Sequence, residues 1–302
     1  MDVIFMGTPE YAKVILERLL QRDGINVVAV YTQPDKPVGR KKIMTAPEVK
    51  VVAQQNAIKV YQPVRLRDEA TVEELLQIKC DFIVVAAYGQ ILPKAILEHA
   101  PCINLHASIL PQYRGASPIQ QTLLHGDTKT GVTAMLMDEG LDTGAILKIS
   151  SVDVPADMMA ETLFESLTQC AADLTLDVLE NFSKYPPQKQ DTTKATHCTK
   201  ITKQDGAVAF LDAQTLYNKY RAYTPWPGIY LSSGLKLKRI SLMENISENA
   251  MGKIVKIEND GVIVGCKQGS IKIFSVQPES KNEMDILSYI NGKRLQNEDI
   301  LS

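Results

Sequence analysis

At 302 residues the chain exceeds the roughly 100–200 residues of one typical domain and can bury a large core without staples, so two domains are expected. Its 45% apolar content is ordinary, and a formal net charge of −2 argues against a membrane-surface or nucleic-acid coat protein, leaving any nucleic-acid contact to a local patch. The five cysteines, Cys80, Cys102, Cys170, Cys198 and Cys266, stand far apart without a CxxC pair or a nearby His, which speaks against a disulfide framework and a metal site and fits reduced thiols.

The opening MDVIFMGTPEY lacks the basic leader of a signal peptide, and no apolar run approaches the roughly 20 residues that span a bilayer. A soluble cytoplasmic monomer without membrane contact is the expectation. Short apolar runs then alternate with amphipathic segments, the pattern of βα units around a largely parallel sheet. Val3–Met6 is a strand, with Thr8 as N-cap and Pro9 at the first position of a helix that Gly24 ends. Ile25–Tyr31 is the next strand, and a long polar loop runs from Thr32 to about Thr45. Strands follow at Phe82–Ala87, Cys102–His106, Gly131–Met137 and Ala145–Val152, then a helix from Ala160 to Phe182. These make a Rossmann-like α/β domain over residues 1–182, mostly parallel with helices on both faces.

From Ser183 the run SKYPPQKQDTTKATHCTK has no apolar period and reads as a linker over 183–204. Asp212 then caps a helix through Tyr223. Beyond it Leu235–Met243, Lys253–Ile257, Val262–Cys266 and Ser270–Val276 alternate with period two, with turns at Asn259-Asp260-Gly261 and Gln268-Gly269. A small antiparallel, OB-like β-barrel over 205–302 is expected. Trp226, between two prolines in a tight turn, is expected to be a packing anchor.

The chemistry concentrates in CINLHASILPQYRGASPIQ, Cys102 to Gln120. A strand over Cys102–His106 puts Asn104 and His106 on one face, at the carboxyl end where open α/β sheets carry their sites. Alone, the pair fits a satisfied core histidine and a loop-closing asparagine equally well. A second segment, DEGLDTG from Asp138 to Gly144, also follows a strand, and its glycines permit a tight loop that aims Asp142 back toward the pair. Together the three suit acyl transfer to an amine. Attack on a formyl carbon creates a negative oxygen that Asn104 and His106 can hydrogen-bond, and Asp142 can orient His106 and accept or relay the amine's proton.

The strings INLHASILPQYRGASPI and DEGLDTG resemble the two signatures of the 10-formyltetrahydrofolate-dependent formyltransferases, an Asn-x-His pair with a Ser-Leu-Leu-Pro-type loop and a later Asp; Ile109 conservatively replaces the usual Leu. The resemblance implies that Asn104, His106 and Asp142 are catalytic, that Ser108, Ile109, Leu110 and Pro111 belong to a folate-binding loop, and that the Ala86–Leu92 stretch lines the pterin pocket. That stretch contributes Ala87, Tyr88, Gly89, Gln90, Ile91 and Leu92, largely through backbone groups, and Asp138 is grouped with the folate contacts. The donor implied is 10-formyltetrahydrofolate, with no metal.

MGTPEYA, TQPDKPVGRKK and TPWPG extend the resemblance along nearly the whole chain, to the branch of the family whose acceptor is initiator methionyl-tRNA. A glycinamide ribonucleotide enzyme would be shorter, with a Gly-rich phosphate loop where this chain has Gly7-Thr8-Pro9-Glu10. The long loop with Arg40, Lys41 and Lys42 is then a tRNA-inserting loop, and Lys236 and Lys238, on one face of a strand, form a basic patch for tRNA. The runner-up is a sugar-nucleotide N-formyltransferase using the same donor. A non-catalytic folate- or RNA-binding protein would have no need of the full trio, and a dinucleotide-binding reductase lacks its GxGxxG.

Overall fold

The computed structural model describes residues 1–39 and 41–302, and the expectation for Arg40 lies outside the described residues. The chain forms two compact units, residues 1–118, 129–154 and 163–198 in the first, and residues 119–128, 155–162 and 199–302 in the second.

In chain order the elements are β1 (Asp2–Gly7), α1 (Glu10–Leu20), β2 (Asn26–Tyr31), β3 (Lys36–Val38), β4 (Ile43–Thr45), α2 (Glu48–Gln55), β5 (Val60–Tyr61), α3 (Glu69–Leu76), β6 (Phe82–Ala86), α4 (Lys94–Leu97), β7 (Cys102–His106) and β8 (Arg114–Gly115). There follow α5 (Pro118–His125), most of which belongs to the second unit, β9 (Lys129–Leu136), β10 (Ala145–Asp153), α6 (Ala160–Glu180) and β11 (His197–Cys198).

Seven strands of the first unit pair in the order β10-β9-β7-β6-β1-β2-β5. The five from β5 to β7 are parallel, while β9 and β10 run antiparallel at one edge. The chain winds outward from β1 through β2 to β5, then resumes on the other side with β6 and β7. That places a topological switch point at the carboxyl ends of β1 and β6.

The parallel strands are apolar on both faces because helices cover both. Ile4, Met6, Ala29, Tyr31, Ile83 and Val85 pack on one side with Leu75 of α3 and Ile96 of α4. On the other side the Tyr11 hydroxyl of α1 donates to the Leu105 carbonyl at 3.2 Å, and Tyr11 meets Phe164 of α6 with ring centroids 6.3 Å apart. A Cβ on Gly7 would come within 2.5 Å of the Ala12 Cβ and 2.9 Å of the Ala86 carbonyl, so only glycine permits α1 to leave β1 this closely.

Two local expectations are corrected. Thr8 does not cap α1: Pro9 holds the N-cap position, and the Thr8 hydroxyl donates to the Tyr88 carbonyl at 3.3 Å and accepts from the Gln33 amide at 3.4 Å, tying together the loops after β1, β2 and β6. The Thr32–Thr45 loop contains a hairpin, β3 against β4, whose base is fixed where Asp35 accepts from Lys50 at 2.8 Å and from Gln62 at 2.7 Å. The polar stretch after Ser183 is tied into the first unit as far as Cys198, by a Gln188–Ile146 bridge to β10 and by β11 alongside β8.

The second unit contains α7 (Ala213–Tyr223), β12 (Ile229–Tyr230), β13 (Lys236–Glu248), β14 (Ile254–Glu258), β15 (Gly261–Gly265), β16 (Gln268–Gln277), β17 (Met284–Asp285) and α8 (Ile286–Lys293). Asp212 caps α7 by accepting from the Thr215 amide at 2.6 Å. As expected of its period-two segments, the strands form an antiparallel sheet, in the order β12-β13-β16-β15-β14, with β17 also on β16. Its hydrogen-bonded ladder stays open between β12 and β14, and successive register shifts bend the long β13. Among the described residues no helix is long and apolar enough to cross a membrane.

Candidate active site

Alternation along β7 sends Ile103 and Leu105 into the core and turns Asn104 and His106 to the opposite face. Asn104 is partly exposed, whereas His106 is 6% exposed. The His106 Nε2 lies 2.9 Å from the Tyr113 carbonyl oxygen, which can only accept, so Nε2 carries a hydrogen. In the neutral ring Nδ1 therefore holds the lone pair. Nδ1 stands 3.7 Å from Asp142 Oδ2, beyond hydrogen-bond reach but within ion-pair distance once the ring is protonated.

Asp142 reaches this position through the loop that joins β9 to β10. Its backbone is left-handed, with φ +53°, and its carboxylate accepts from the Gly115 amide at 2.8 Å and from the Asn104 side chain at 3.4 Å. Gly144 is required there, because a Cβ would fall 2.0 Å from the Leu136 carbonyl. Asp138 folds the same loop, accepting from the Gly140 amide at 3.0 Å and from the Thr143 hydroxyl at 2.6 Å. Asn104, His106 and Asp142 thus come together, while the Asp138 carboxylate is engaged within its own loop.

Three residues that pattern reading missed hold this arrangement. The Gln190 amide donates to the carbonyls of Asp142, at 2.9 Å, and Gly144, at 2.8 Å. Its oxygen accepts from Arg114 Nη2 at 2.7 Å, and both side chains are buried. Thr133 of β9 donates to the Ser108 carbonyl at 2.6 Å and accepts from the Leu110 amide at 3.0 Å, setting the loop after β7. Among the described residues the buried Arg114 has no carboxylate partner, and nothing about QYRG marks its arginine as interior.

The loop residues divide by exposure. Ser108 and Leu110 are buried, with the Ser108 hydroxyl donating to the Gln112 carbonyl at 2.6 Å, whereas Ile109 and Pro111 are partly open. In the 87–92 stretch Tyr88 and Leu92 enter the core, and Gln90 bonds the Leu66 amide and the Pro63 carbonyl. Ala87, Gly89 and Ile91 are exposed, and Ala87 and Gly89 have positive φ. Among the described residues the main-chain amides of Gly89, Gln90, Ile91 and Leu92 donate to no protein group. Those four amides are available to an acceptor from outside the protein.

Lys41 and Lys42 sit exposed between β3 and β4, with Val38, Ile43 and Met44 also exposed beside them. Lys236 is exposed and Lys238 half-exposed, both outward from the buried Leu237. Among the described residues no group of three or more His, Cys, Asp or Glu side chains could hold a metal ion. Burial pushes the Cys102 and Cys266 thiols up to about 12, which leaves both without thiolate character at neutral pH.

The model of the formyl transferase family matches residues 1–179, and that of the formyl transferase C-terminal domain matches residues 200–294. The chain is 66% identical to a methionyl-tRNA formyltransferase of Sulfurimonas denitrificans over all of both chains. It is 55% identical to one from a Nitratiruptor species and 48% identical to one from Campylobacter jejuni, over 98% and 99% of each chain respectively. Among solved structures it is similar to an N-formyltransferase of Helicobacter canadensis in complex with folinic acid and dTDP-3-aminofucose, with TM-score 0.68 and 18% identity over 90% of this chain and 98% of that one. A methionyl-tRNA formyltransferase of Clostridium thermocellum gives TM-score 0.58 and 20% identity, over 89% and 98%. At these identities the structural likenesses speak for the fold.

Proposed function

The chain belongs to the formyl transferase family, and on that premise we propose that it moves the formyl group of 10-formyltetrahydrofolate onto the α-amino group of methionine on initiator methionyl-tRNA. The product is N-formylmethionyl-tRNA, used to initiate translation in the cytoplasm. The acceptor is inferred from the full-length relatives. The observation that carries the chemistry is a buried histidine whose tautomer is fixed by a backbone carbonyl and whose other nitrogen faces a carboxylate beside an amide donor.

The donor is held by the open main-chain amides of Gly89–Leu92 and by the Ser108–Pro111 loop, and when bound it supplies a formyl carbon to the amine. His106 acts through Nδ1. The lone pair there takes the proton that the amine sheds as nitrogen bonds to carbon, and the imidazolium that results is stabilised by Asp142. Asn104 has a second amide hydrogen beyond the one directed at Asp142, and it donates this to the oxygen on which negative charge collects. His106 then returns its proton to the departing folate nitrogen, so the ring ends neutral and no bond to the chain is formed. Exposed Lys41 and Lys42, with Arg40, and Lys236 and Lys238 contact tRNA phosphates.

The test is transfer of labelled formyl from 10-formyltetrahydrofolate to charged methionyl-tRNA, run beside amino-sugar nucleotides and glycinamide ribonucleotide. Transfer to methionyl-tRNA alone is the expected result. Transfer to a sugar nucleotide alone would keep the trio and overturn the acceptor.

A further inference from the structure

Gly89 carries the first of the four open amides, and its N–H belongs to the same peptide unit as the Tyr88 carbonyl. In a trans peptide these two groups point in opposite directions, so whatever holds the carbonyl also aims the N–H. The Gln33 side-chain amide donates to the Tyr88 carbonyl at 3.0 Å, and the Thr8 hydroxyl donates to it at 3.3 Å. Thr8 in turn accepts from the Gln33 main-chain amide at 3.4 Å, which closes the three groups into one ring of bonds.

This peptide unit needs such a clamp. Ala87, at φ +47°, and Gly89, at φ +80°, lie on either side of Tyr88, whose side chain is buried in the core. Glycine accepts φ of either sign, so the peptide unit ahead of it can turn over at little steric cost while its neighbours keep their places. Turned over, the unit would present a carbonyl oxygen where it now presents an N–H. Two hydrogen bonds to the carbonyl select the orientation observed.

Gln33 is itself a fixed arm. Its carbonyl accepts from the Gln62 side chain at 2.9 Å, and the same Gln62 nitrogen donates at 2.7 Å to Asp35, which Lys50 holds at 2.8 Å. A Cβ on Gly89 would stand 3.8 Å from Gln33 Nε2, so the side chain lies directly against the turn. None of these bonds involves Asn104, His106 or Asp142.

We propose that Gln33, with Thr8, is a positioning residue for the formyl donor: it locks the Tyr88–Gly89 peptide so that the Gly89 N–H meets an acceptor atom of the bound folate. This rests on the donor reading above and adds to it the side chains that orient one of its amides. A hydrogen bond aimed before the ligand arrives is not ordered at the ligand's expense, so its loss shows in donor affinity and leaves the later bond-making step unchanged.

The experiment measures tetrahydrofolate binding by calorimetry, and steady-state transfer from 10-formyltetrahydrofolate to methionyl-tRNA, in the parent chain and three variants. Gln33→Met keeps the length of the side chain without its donor. It is expected to weaken tetrahydrofolate binding and raise KM for the formyl donor about 10-fold, the scale of one hydrogen bond, with kcat and KM for methionyl-tRNA within about twofold. Thr8→Val, which keeps the shape and loses the hydroxyl, moves the same constants in the same direction, whereas Thr8→Ser, which keeps the hydroxyl, stays at the parent values. Parental tetrahydrofolate binding and donor KM in Gln33→Met, whether or not its thermal stability falls, overturn the proposal and leave the proposed function intact. An equal rise in both KM values also overturns it, since the clamp would then be general scaffolding. A parent chain that binds no tetrahydrofolate fails the donor reading itself, and the proposal with it.

Discussion

Tyr113 governs what His106 can do, because a carbonyl that fixes Nε2–H leaves Nδ1 as the nitrogen through which the ring gains and loses its proton. His106→Ala removes that nitrogen, and Asp142→Asn removes the charge that steadies the protonated ring. Each is expected to lower turnover about 100-fold or more in the transfer assay, and near-normal turnover in either excludes that residue from the chemistry. Gln190 acts one step back, as a positioning residue. Gln190→Ala frees the carbonyls of Asp142 and Gly144, so kcat is expected to fall about 10-fold while KM for the folate donor stays within about twofold. Equal changes in both constants would mean that the whole loop has collapsed. That Asn104, His106 and Asp142 converge was legible because strand alternation and a glycine loop fix where such side chains point. Gln190 was not, since its partners lie 48 and 46 residues away and its own segment has no period.

Between β14 and β16, Glu258 stands as the hub of an ion cluster. Hydrogen bonds from Lys256 and then from Lys272 hold its carboxyl down at about 2, against 4.5 for an ordinary glutamate. A carboxyl depressed in the folded state stabilises it fully above the unfolded value and loses that contribution as pH falls toward the folded one. The window is therefore pH 4.5 down to about 2. Denaturant unfolding across that range is expected to show the parent losing stability more steeply than Glu258→Gln, and parallel slopes would mean that the cluster contributes nothing. The longer strands of both units were readable from apolar runs and period-two alternation. The β3–β4 hairpin was not, because three-residue strands are too short for a period to register. Thr8 misled for a different reason. A threonine one residue ahead of a helix satisfies the local capping rule, yet its hydroxyl is claimed by a carbonyl 80 residues away.

A molecule of net charge −2 can engage a polyanion only where its cations are gathered locally. Replacing Arg40, Lys41 and Lys42 together by uncharged residues is expected to raise KM for methionyl-tRNA and reduce its salt dependence, with folate binding unchanged. Equal loss of both would make the loop a structural element. The change of composition near Ser183 led to the expectation of two domains joined by a linker, and the polar run there makes contacts that its composition does not announce. A sequence without an apolar period can still be anchored, and this one is held through Gln188, Gln190 and β11.

Anchorage through Gln190 has a consequence in time. On the ribosome β7, with Asn104 and His106, emerges early, and the loop bearing Asp142 soon after it. The side chain that braces that loop follows only 48 residues behind Asp142. A nascent chain halted at Phe182 would carry Asn104, His106 and Asp142 with the carbonyls of Asp142 and Gly144 still without their Gln190 partner. The loop that carries Asp142 is therefore complete in its hydrogen bonding only when residues 183–198 are present, a stretch that contributes none of the three proposed reactive groups.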